Sequence, residues 1–392
     1  MNIPQTSKLK MRKIISVLTA LSGALGLSLT STMSAWAQNI DYSQIITSEA
    51  SWITSTQIPA GHGDASGAIP IHPDPSGGSW KVSPYDANIA AMGLLDNGTT
   101  DAAQVKSWMN WYIAHLNWPD YNGKVATIYD YSINATTYAV TPILQSGHPS
   151  YDSTDSYAAT FLSLCHKYAA VTGDVTFLRT NEYQVNQIIG AMLSTKQSDN
   201  LTWARPDYPA KYLMDNTEVY TGLNDAAWLY QNVFTDDLNG FSYYSAVASD
   251  VKTAIQTYLW NSTLGMYVIA KNSDGTTDTP SWSSWPSATT QLWALKAGIV
   301  SNPSAMWNAF NSTWDNAVTS TNWTTTVNNP DTMPWGGAGY AAAVMGDKSK
   351  IDAFLAGANT NYINLQNNSH HWPWSVREAG FTMSAAAVGK NL

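Results

Sequence analysis

The amino-acid sequence predicts an all-α fold, an (α/α)6 toroid of six helical hairpins. Three observations support this prediction: polar clusters that precede helices rich in small residues, amphipathic segments between them, and a repeat of about 45 to 65 residues. Each repeat has the length of one hairpin with an inner and an outer helix. We assign residues 38–392 to a single barrel domain of this kind and residues 1–37 to a secretory signal peptide.

The predicted inner helices share a start made of Ser, Pro, Asp, Trp or Glu, followed by a stretch rich in Ala, Gly and Ser. These segments begin near Ser83, Asp152, Asp215, Ser284, Pro334 and Arg377. Small residues on several faces allow a helix to pack closely on both sides. We therefore place these six helices on the inside of the ring.

The segments between them are more polar and amphipathic, which is typical of outer helices with one buried face. They span roughly residues 42–52, 102–116, 175–193, 243–259, 304–317 and 348–362. Trp108, Tyr112 and Leu116 form an apolar stripe at helical spacing in the second of them. An open array needs polar caps and a ring does not, so we expect the first outer helix to pair with the last inner one.

The N-terminal segment has the features of a secretory signal. Four basic residues between Lys8 and Lys13 precede an apolar run that ends near Ala37. Cleavage after Ala37 would take the formal net charge from -9 to -13, because the segment holds four positive and no negative charges. Such an acidic protein is a poor partner for nucleic acid or an anionic membrane. We expect a secreted or periplasmic protein that is monomeric and has neither of these partners.

The aromatic composition indicates a carbohydrate ligand. The chain has 18 Trp and 21 Tyr but only 7 Phe. Trp and Tyr combine a flat apolar face with a polar edge, which matches the apolar faces and hydroxyl rims of sugars. An aromatic core is the alternative interpretation for each individual ring, and it explains the shortage of Phe less well.

The starts of the inner helices are also rich in carboxylates. If these helices run in the same direction, their N-termini meet at one end of the barrel and surround a cleft. The carboxylates at these starts are Asp86, Asp152, Asp155, Asp215, Glu218 and Glu378. Helix capping is the alternative role for Asp86, Asp152 and Asp215, because Asp is a preferred N-cap residue.

Three segments resemble the six-hairpin glycosidase superfamily, which includes glucoamylases, trehalases and the glucosidase part of glycogen-debranching enzymes. Residues 121–162 (YNGKVATIYDY…GHPSYDSTDSYAATFL) are similar to the debranching-type pattern, with Asp155 at its Asp. Residues 214–223 (MDNTEVYTGL) resemble the third inner-helix start, where a glucoamylase-type general acid lies, and Glu218 is the nearest match. Residues 371–374 (HWPW) resemble a late Trp-Pro turn of debranching-type domains.

The resemblance implies an exported glycoside hydrolase that uses two carboxyl groups, one protonated and one ionised. We expect Glu218 to be the general acid and Asp155 or Glu378 to be the base. Asp152 and Asp155 are three residues apart, so repulsion on one helix face could raise one pKa. Most relatives with this architecture invert the anomeric configuration, which makes inversion the expected outcome.

We expect further residues at the same end of the barrel to bind the sugar. They are Tyr85, Asp86, Asp130, Asp152, Asp215, Trp285, Trp335, His371, Trp372, Trp374 and Arg377, with Tyr129 and Tyr131 as additional stacking positions. Arg377 would hold a carboxylate or a sugar hydroxyl with its fork of donors.

No cofactor or metal is expected. The sequence lacks a Gly-rich phosphate loop and a His-Glu-x-x-His motif, and the adjacent His370 and His371 rarely point at one metal ion. The lone Cys165 lies in an apolar segment, where we expect an inert thiol.

Two other functions remain open: a polysaccharide lyase and a non-catalytic glycan-binding protein. The sugar, the linkage and the exo or endo mode also remain open.

Overall fold

The computed structural model describes residues 40–392, except Leu238 and residues 317–320, 328–332 and 365–368. Residues 40–392 form one compact unit. The predicted signal peptide, residues 1–37, lies outside the described residues. Across the part of the chain that the structure describes, no helix has the length and apolar character needed to cross a membrane.

Helices dominate the described chain and occur in the following order. They are α1 (Tyr42–Thr56), α2 (Pro84–Leu94), α3 (Ala102–Ala114), α4 (Thr154–Thr172), α5 (Val175–Thr180), α6 (Glu182–Leu193), α7 (Leu213–Asn232), α8 (Gly240–Tyr258), α9 (Trp285–Lys296), α10 (Pro303–Trp314), α11 (Trp323–Thr326), α12 (Gly336–Val344), α13 (Lys348–Ala358) and α14 (Val376–Gly389).

Six of these helices form the inner ring. In order around the ring they are α2, α4, α7, α9, α12 and α14; each packs against the next, and α14 packs against α2. The outer layer consists mainly of α1, α3, α6, α8, α10 and α13, and α1 packs against α14. The predicted all-α toroid, including its closure by the first outer and last inner helices, is therefore confirmed.

Small residues allow the inner helices to approach closely, as the sequence predicts. Gly93 of α2 faces Gly380 of α14, and a Cβ atom on Gly380 would lie 2.4 Å from the carbonyl oxygen of Ile89. A Cβ atom on Gly222 of α7 would lie 2.8 Å from the Cα atom of Ala159 in α4. Any larger residue at Gly380 or Gly222 would force the helix backbones apart.

Three outer segments end or break earlier than the sequence predicts. The segment 175–193 is divided at Asn181, whose side-chain amide donates to the carbonyl of Phe177 at 2.9 Å and so competes with the helix backbone. The segment 304–317 ends at Trp314, because Asp315 pairs with Asn322 in a hairpin. The segment 348–362 ends as an α-helix at Ala358 and continues as a π-helical turn over Asn359–Ile363.

Short antiparallel strands fill several of the connections. They are β1 (Ser79–Val82), β2 (Tyr131–Asn134), β3 (Val140–Pro142), β4 (Leu144–Gln145), β5 (His148–Pro149), β6 (Ala210–Tyr212), β7 (Trp260–Asn261), β8 (Met266–Tyr267), β9 (Ala270–Asn272), β10 (Asp315–Asn316) and β11 (Thr321–Asn322). Strands β1, β2 and β3 form one sheet, and β4–β5, β6–β9, β7–β8 and β10–β11 form pairs. Because β1 and β6 end just before α2 and α7, they fix the starts of two inner helices.

The seam between α1 and α14 contains a buried polar cluster. Glu49 of α1 has no exposed surface, and its Oε1 atom lies 2.6 Å from Nε2 of His370. The Trp374 indole donates to Glu49 Oε2 at 3.0 Å. The Trp52 ring stacks on His370 with centroids 4.7 Å apart. These contacts join α1 to the segment that leads into α14, and so support the closure of the ring.

Candidate active site

The N-terminal ends of the inner helices surround a cleft of about 880 Å³. Its walls include Tyr85, Asp86, Ser156, Asp215, Glu218 and Arg377, from the starts of α2, α4, α7 and α14. The predicted convergence of the helix starts is therefore observed. A volume of this size accommodates an oligosaccharide segment.

A smaller arm of about 320 Å³ adjoins the cleft and shares Tyr85, Met214 and Arg377 with it. Trp285 at the start of α9 and Trp335 just before α12 lie in its wall, together with Glu378 of α14. The rings of Trp285 and Trp335 meet edge to face with centroids 4.0 Å apart. This arm therefore combines indole surface with a carboxylate.

Glu218 receives hydrogen bonds from three inner helices. The Tyr85 hydroxyl of α2 donates to its Oε1 at 2.6 Å, and the Trp293 indole of α9 donates to the same atom at 2.9 Å. The Ser156 hydroxyl of α4 donates to Oε2. Burial raises the Glu218 pKa, while these three donors and the charge of Lys296 act to lower it. The contacts thus oppose the effect of burial, although the Glu218 pKa stays above its usual value.

Asp215 lies one helical turn before Glu218 and is in a different electrostatic situation. Burial raises its pKa well above the usual value, and the charges of Asp155, Glu218 and Asp152 raise it further. Within the described residues, its carboxyl group accepts from its own backbone amide and from no side-chain donor, although it lines the cleft. Its surroundings therefore favour the protonated form.

Asp155 lies beneath the cleft and not in its wall. It has no exposed surface; Thr202 donates to its Oδ2 at 2.5 Å, and the Ser156 amide donates to its Oδ1 at 2.9 Å. Burial raises its pKa to about 7, the two donors oppose this shift, and Glu218 adds to it. The predicted direct contact of Asp155 with substrate is not supported by this position.

The predicted pairing of Asp155 with Asp152 on one helix face is also wrong. Asp152 precedes the cap residue Ser153 and lies outside α4. Repulsion on Asp155 comes instead from Glu218 on the neighbouring helix.

Glu378 is held by its own neighbour and by a helix start. Arg377 donates to its Oε1 at 2.8 Å from Nε, and the backbone N–H of Gly336 at the start of α12 donates to Oε2. Nη1 of Arg377 lies 3.6 Å from Oδ1 of Asp86. Burial raises the Asp86 pKa, and Arg377 opposes this shift. Because α7 and α14 are opposite each other in the ring, Asp215 and Glu378 lie on facing helices.

The structure brings together most of the sequence-predicted site residues. Tyr85, Asp86, Asp130, Asp152, Asp215, Glu218 and Arg377 line the cleft, and Trp285, Trp335 and Glu378 line its smaller arm. Burial raises the pKa of Asp130 to about 6, while Lys81 at 3.7 Å and the Tyr157 hydroxyl at 2.8 Å oppose this shift.

Five predicted ligand contacts are corrected by the structure. Trp374 is fully buried in the seam, where Glu49 accepts its indole N–H. His371 and Trp372 are exposed, pack against Tyr362 and His72, and lie outside the cleft walls. The stacking positions Tyr129 and Tyr131 are also core residues.

Several cleft residues escaped the sequence analysis. They are Lys81, Tyr151, Ser156, Tyr157, Arg205, Tyr208 and Tyr212. Trp293 and Lys296, near the end of α9, were also missed. Their three-residue spacing on a predicted inner helix was a usable signal, because it places both on one face. Among the described residues, no three His, Cys, Asp or Glu side chains are grouped as metal ligands would be.

Comparisons with known proteins identify the fold. No protein-family model and no curated protein matches the sequence. A wild-type glycosidase is 12% identical, with a TM-score of 0.59, 90% of this chain and 97% of that chain covered. A GH76 α-mannanase of Bacteroides thetaiotaomicron is 14% identical, with a TM-score of 0.52 and coverage of 90% and 96%.

A GH78 rhamnosidase of Bacillus sp. GL1 is 13% identical, with a TM-score of 0.50, and the match covers 88% of this chain and 34% of that chain. At these identities the similarity concerns the fold. The resemblance of the sequence to the six-hairpin glycosidases is therefore confirmed at the level of the fold.

Proposed function

We propose that this protein is a glycoside hydrolase that cleaves an oligo- or polysaccharide in the cleft at the N-terminal ends of the inner helices. The observation that supports it best is the contrast between two carboxyl groups on facing helices. Asp215 on α7 is in surroundings that favour a proton, whereas Glu378 on α14 is paired with Arg377. Hydrolysis of a glycosidic bond needs one carboxyl group in each of these states.

In this proposal Asp215 is the general acid. Its proton is transferred to the glycosidic oxygen as the bond to the anomeric carbon breaks. The contacts favour Asp215 over Glu218 for this role, because three side-chain donors already stabilise the carboxylate of Glu218. Glu218 then acts as a negative charge at the cleft floor, and its repulsion adds to burial and to the charge of Asp155 in favouring the protonated form of Asp215.

Glu378 is the proposed base. Its carboxylate would take a proton from a water molecule, and that water would attack the anomeric carbon from the face opposite Asp215. Arg377 and the Gly336 amide orient the carboxylate. Attack and protonation from opposite sides of the sugar ring give inversion at the anomeric carbon.

The lining of the cleft supports a neutral carbohydrate as substrate. Trp285 and Trp335 offer indole surface in the smaller arm, next to the proposed base. Asp86, Asp130 and Asp152 place carboxylates in the main cleft, where they accept bonds from sugar hydroxyls and repel uronates. This disfavours a lyase, which acts on uronates. Among the similar structures, an α-mannanase, two rhamnosidases and a glycosidase variant with glucose bound all concern neutral sugars.

We also propose that the protein is exported and works as a monomer in the periplasm or outside the cell. The support for export is the basic and apolar N-terminal segment that ends near Ala37.

A screen of the purified protein against α- and β-linked oligosaccharides, with product analysis, tests the proposal. New reducing ends without unsaturated products support hydrolysis, and proton NMR of the first product gives the anomeric outcome. Unsaturated products would identify a lyase, and retention on a glycan column without turnover would identify a binding protein. Asp215→Asn is the reference with strongly reduced activity, and Asp236→Asn, at an exposed position, is the matched control.

A further inference from the structure

A second cavity, of about 220 Å³, lies inside the ring on the other side of Glu218 from the cleft. All six inner helices contribute to its wall, through Met92, Ser163, Thr221, Lys296, Tyr340 and Phe381 among others. These residues lie one or more turns after the helix starts that form the cleft. Glu218 lines both spaces and therefore forms part of the floor between them.

Lys296, the last residue of α9, places its ammonium group among aromatic rings in this cavity. Its Nζ atom lies 3.6 Å from the ring centroid of Trp293, 4.4 Å from that of Phe381 and 5.9 Å from that of Tyr340. Among the side chains that the structure describes, no carboxylate is within ion-pair distance of it. Partial burial of an ammonium group without a paired carboxylate costs folding free energy. A functional role for Lys296 would explain why the chain keeps this residue.

The Trp293 side chain connects this ammonium to Glu218. One side of the indole lies beside Lys296, and its N–H donates to Glu218 Oε1 at 2.9 Å. The Lys296 ammonium is thus close to the Glu218 carboxylate, and it approaches Glu218 from the inner cavity and not from the cleft where a ligand would bind. In a water-poor interior such a charge acts more strongly than at the surface.

Several other titratable or charged groups surround this pair. They are Tyr85 and Asp86 of α2, Asp155 of α4, Asp215 of α7, Tyr340 of α12, and Arg377 and Glu378 of α14, with Asp152 before α4. Asp86, Asp152, Asp155, Asp215 and Glu378 carry negative charge when ionised, and Arg377 is bonded to Glu378. Among the described residues, Arg377 is therefore paired with a carboxylate, whereas Lys296, the other cation near Glu218, is not.

We propose that Lys296 is a positioning residue whose charge, applied through the floor of the cleft, favours the ionised form of Glu218. Burial lowers the Lys296 pKa to about 7, with Glu218 and Glu378 opposing this shift. The ammonium is therefore charged in acidic solution, where Glu218 would otherwise take up a proton. The effect of Lys296 on catalysis rests on the proposed function, but its effect on Glu218 does not.

Direct titration of Glu218 by NMR tests the proposal. The chain contains four glutamates, Glu49, Glu182, Glu218 and Glu378, so a protein labelled with carbon-13 at the glutamate δ-carboxyl gives four signals to follow. Glu218→Gln identifies the signal of interest. We expect Lys296→Met to raise the Glu218 pKa by about one unit, the lower end of the effect of a neighbouring opposite charge.

Lys296→Arg is the matched control because it keeps the charge and a long side chain. We expect the Glu218 pKa in Lys296→Arg to be closer to that of the wild type than to that of Lys296→Met. An unchanged Glu218 titration in Lys296→Met would overturn the proposal, as would an equal shift in Lys296→Arg. The signals of Glu49 and Glu182 report whether the fold is intact, and Lys296→Gln provides the uncharged variant if Lys296→Met does not fold.

Activity provides a separate arm of the test. If the protein hydrolyses glycosides, the acidic limb of the kcat/KM profile moves to higher pH in Lys296→Met, because Glu218 must be ionised. If no substrate is turned over, the proposed function fails, and the NMR titration still decides the role of Lys296.

Discussion

Asp215 and Glu218 lie three residues apart on α7, yet side-chain donors reach only Glu218 among the described residues. Both carboxyl groups are surrounded by protein, and burial raises the pKa of each. The donors stabilise a negative charge on Glu218, and that charge in turn disfavours a second one on Asp215. One helix start therefore presents two carboxyl groups with different preferred protonation states.

Replacement of Asp215 by Asn is expected to lower kcat/KM by about 10²- to 10⁴-fold, because a general acid contributes about that much. The basic limb of the pH profile should disappear at the same time, since the raised pKa of Asp215 sets the pH at which the proton is lost. Steady-state kinetics on an oligosaccharide substrate would measure both effects.

A substrate with a leaving group that needs no proton provides the control for this variant. Its hydrolysis by Asp215→Asn should be much closer to the wild-type rate. Near-parental activity of the variant on the natural type of substrate would remove Asp215 from the mechanism.

Asp155 should make the stability of the protein depend on pH. Its pKa is raised in the folded protein from 3.8 to about 7, so the folded state binds its proton more tightly than the unfolded state does. The resulting stabilisation is fully present below about pH 4 and is lost as the pH rises through about 7. Between these values, the stability of Asp155→Asn should therefore fall less steeply than that of the wild type.

Urea unfolding at a series of pH values would measure this difference. Asn is a suitable replacement because its amide nitrogen can donate to Thr202, whose hydroxyl can turn to Asn216 Oδ1 at 3.2 Å. If the free energies of unfolding of the wild type and of Asp155→Asn changed with pH in parallel, the raised pKa of Asp155 would be contradicted. We also expect kcat/KM to fall less in this variant than in Asp215→Asn, because Asp155 does not line the cleft.

Loss of the Trp285 ring should weaken substrate binding. We expect Trp285→Ala to raise KM about tenfold, which corresponds to about 1.4 kcal/mol of lost stacking and apolar contact. Trp260→Ala is the matched control, because Trp260 lies in β7, is 39% exposed and lines neither the cleft nor its smaller arm. An equal effect of the two substitutions on KM would place the sugar elsewhere.

Two glycines offer a matched test of helix packing. Gly380→Ala should lower the free energy of unfolding by about 1 to 3 kcal/mol, because the new Cβ atom would meet the Ile89 carbonyl oxygen at 2.4 Å. Gly190→Ala in the exposed part of α6 should raise it by about 0.5 to 1 kcal/mol, since no atom lies within 4 Å of its Cβ position. Urea unfolding of both variants measures these changes, and destabilisation by both would argue against the specific contact.

The fold was predictable because its signals are local. Each inner helix begins with a recognisable start, such as Ser83 followed by Pro84, and continues with small residues that suit close packing. The carboxylates at the starts of α2 and α7 line the cleft and Glu378 of α14 lines its smaller arm, because parallel helix starts must meet at one end. The small hairpins were missed, since strands of two residues leave no periodicity to detect.

Two of the errors concern contacts between residues distant in sequence. Trp374 was predicted to bind sugar, but Glu49, 325 residues away in the sequence, accepts its indole N–H in the core. Asp155 was predicted to be catalytic, but Thr202 bonds to it beneath the cleft. The surroundings of Lys296 depend on rings from three helices, and no local pattern reports such an arrangement.

Helix α14 has two roles in the molecule. It carries Arg377 and Glu378 at its start, and it packs against α1, α2 and α12 along its length. Damage to this helix would therefore open the barrel and remove the proposed base in the same event. We therefore expect a protein shortened within α14 to lose its fold and its activity together. One helix serves both purposes, so neither property should survive without the other.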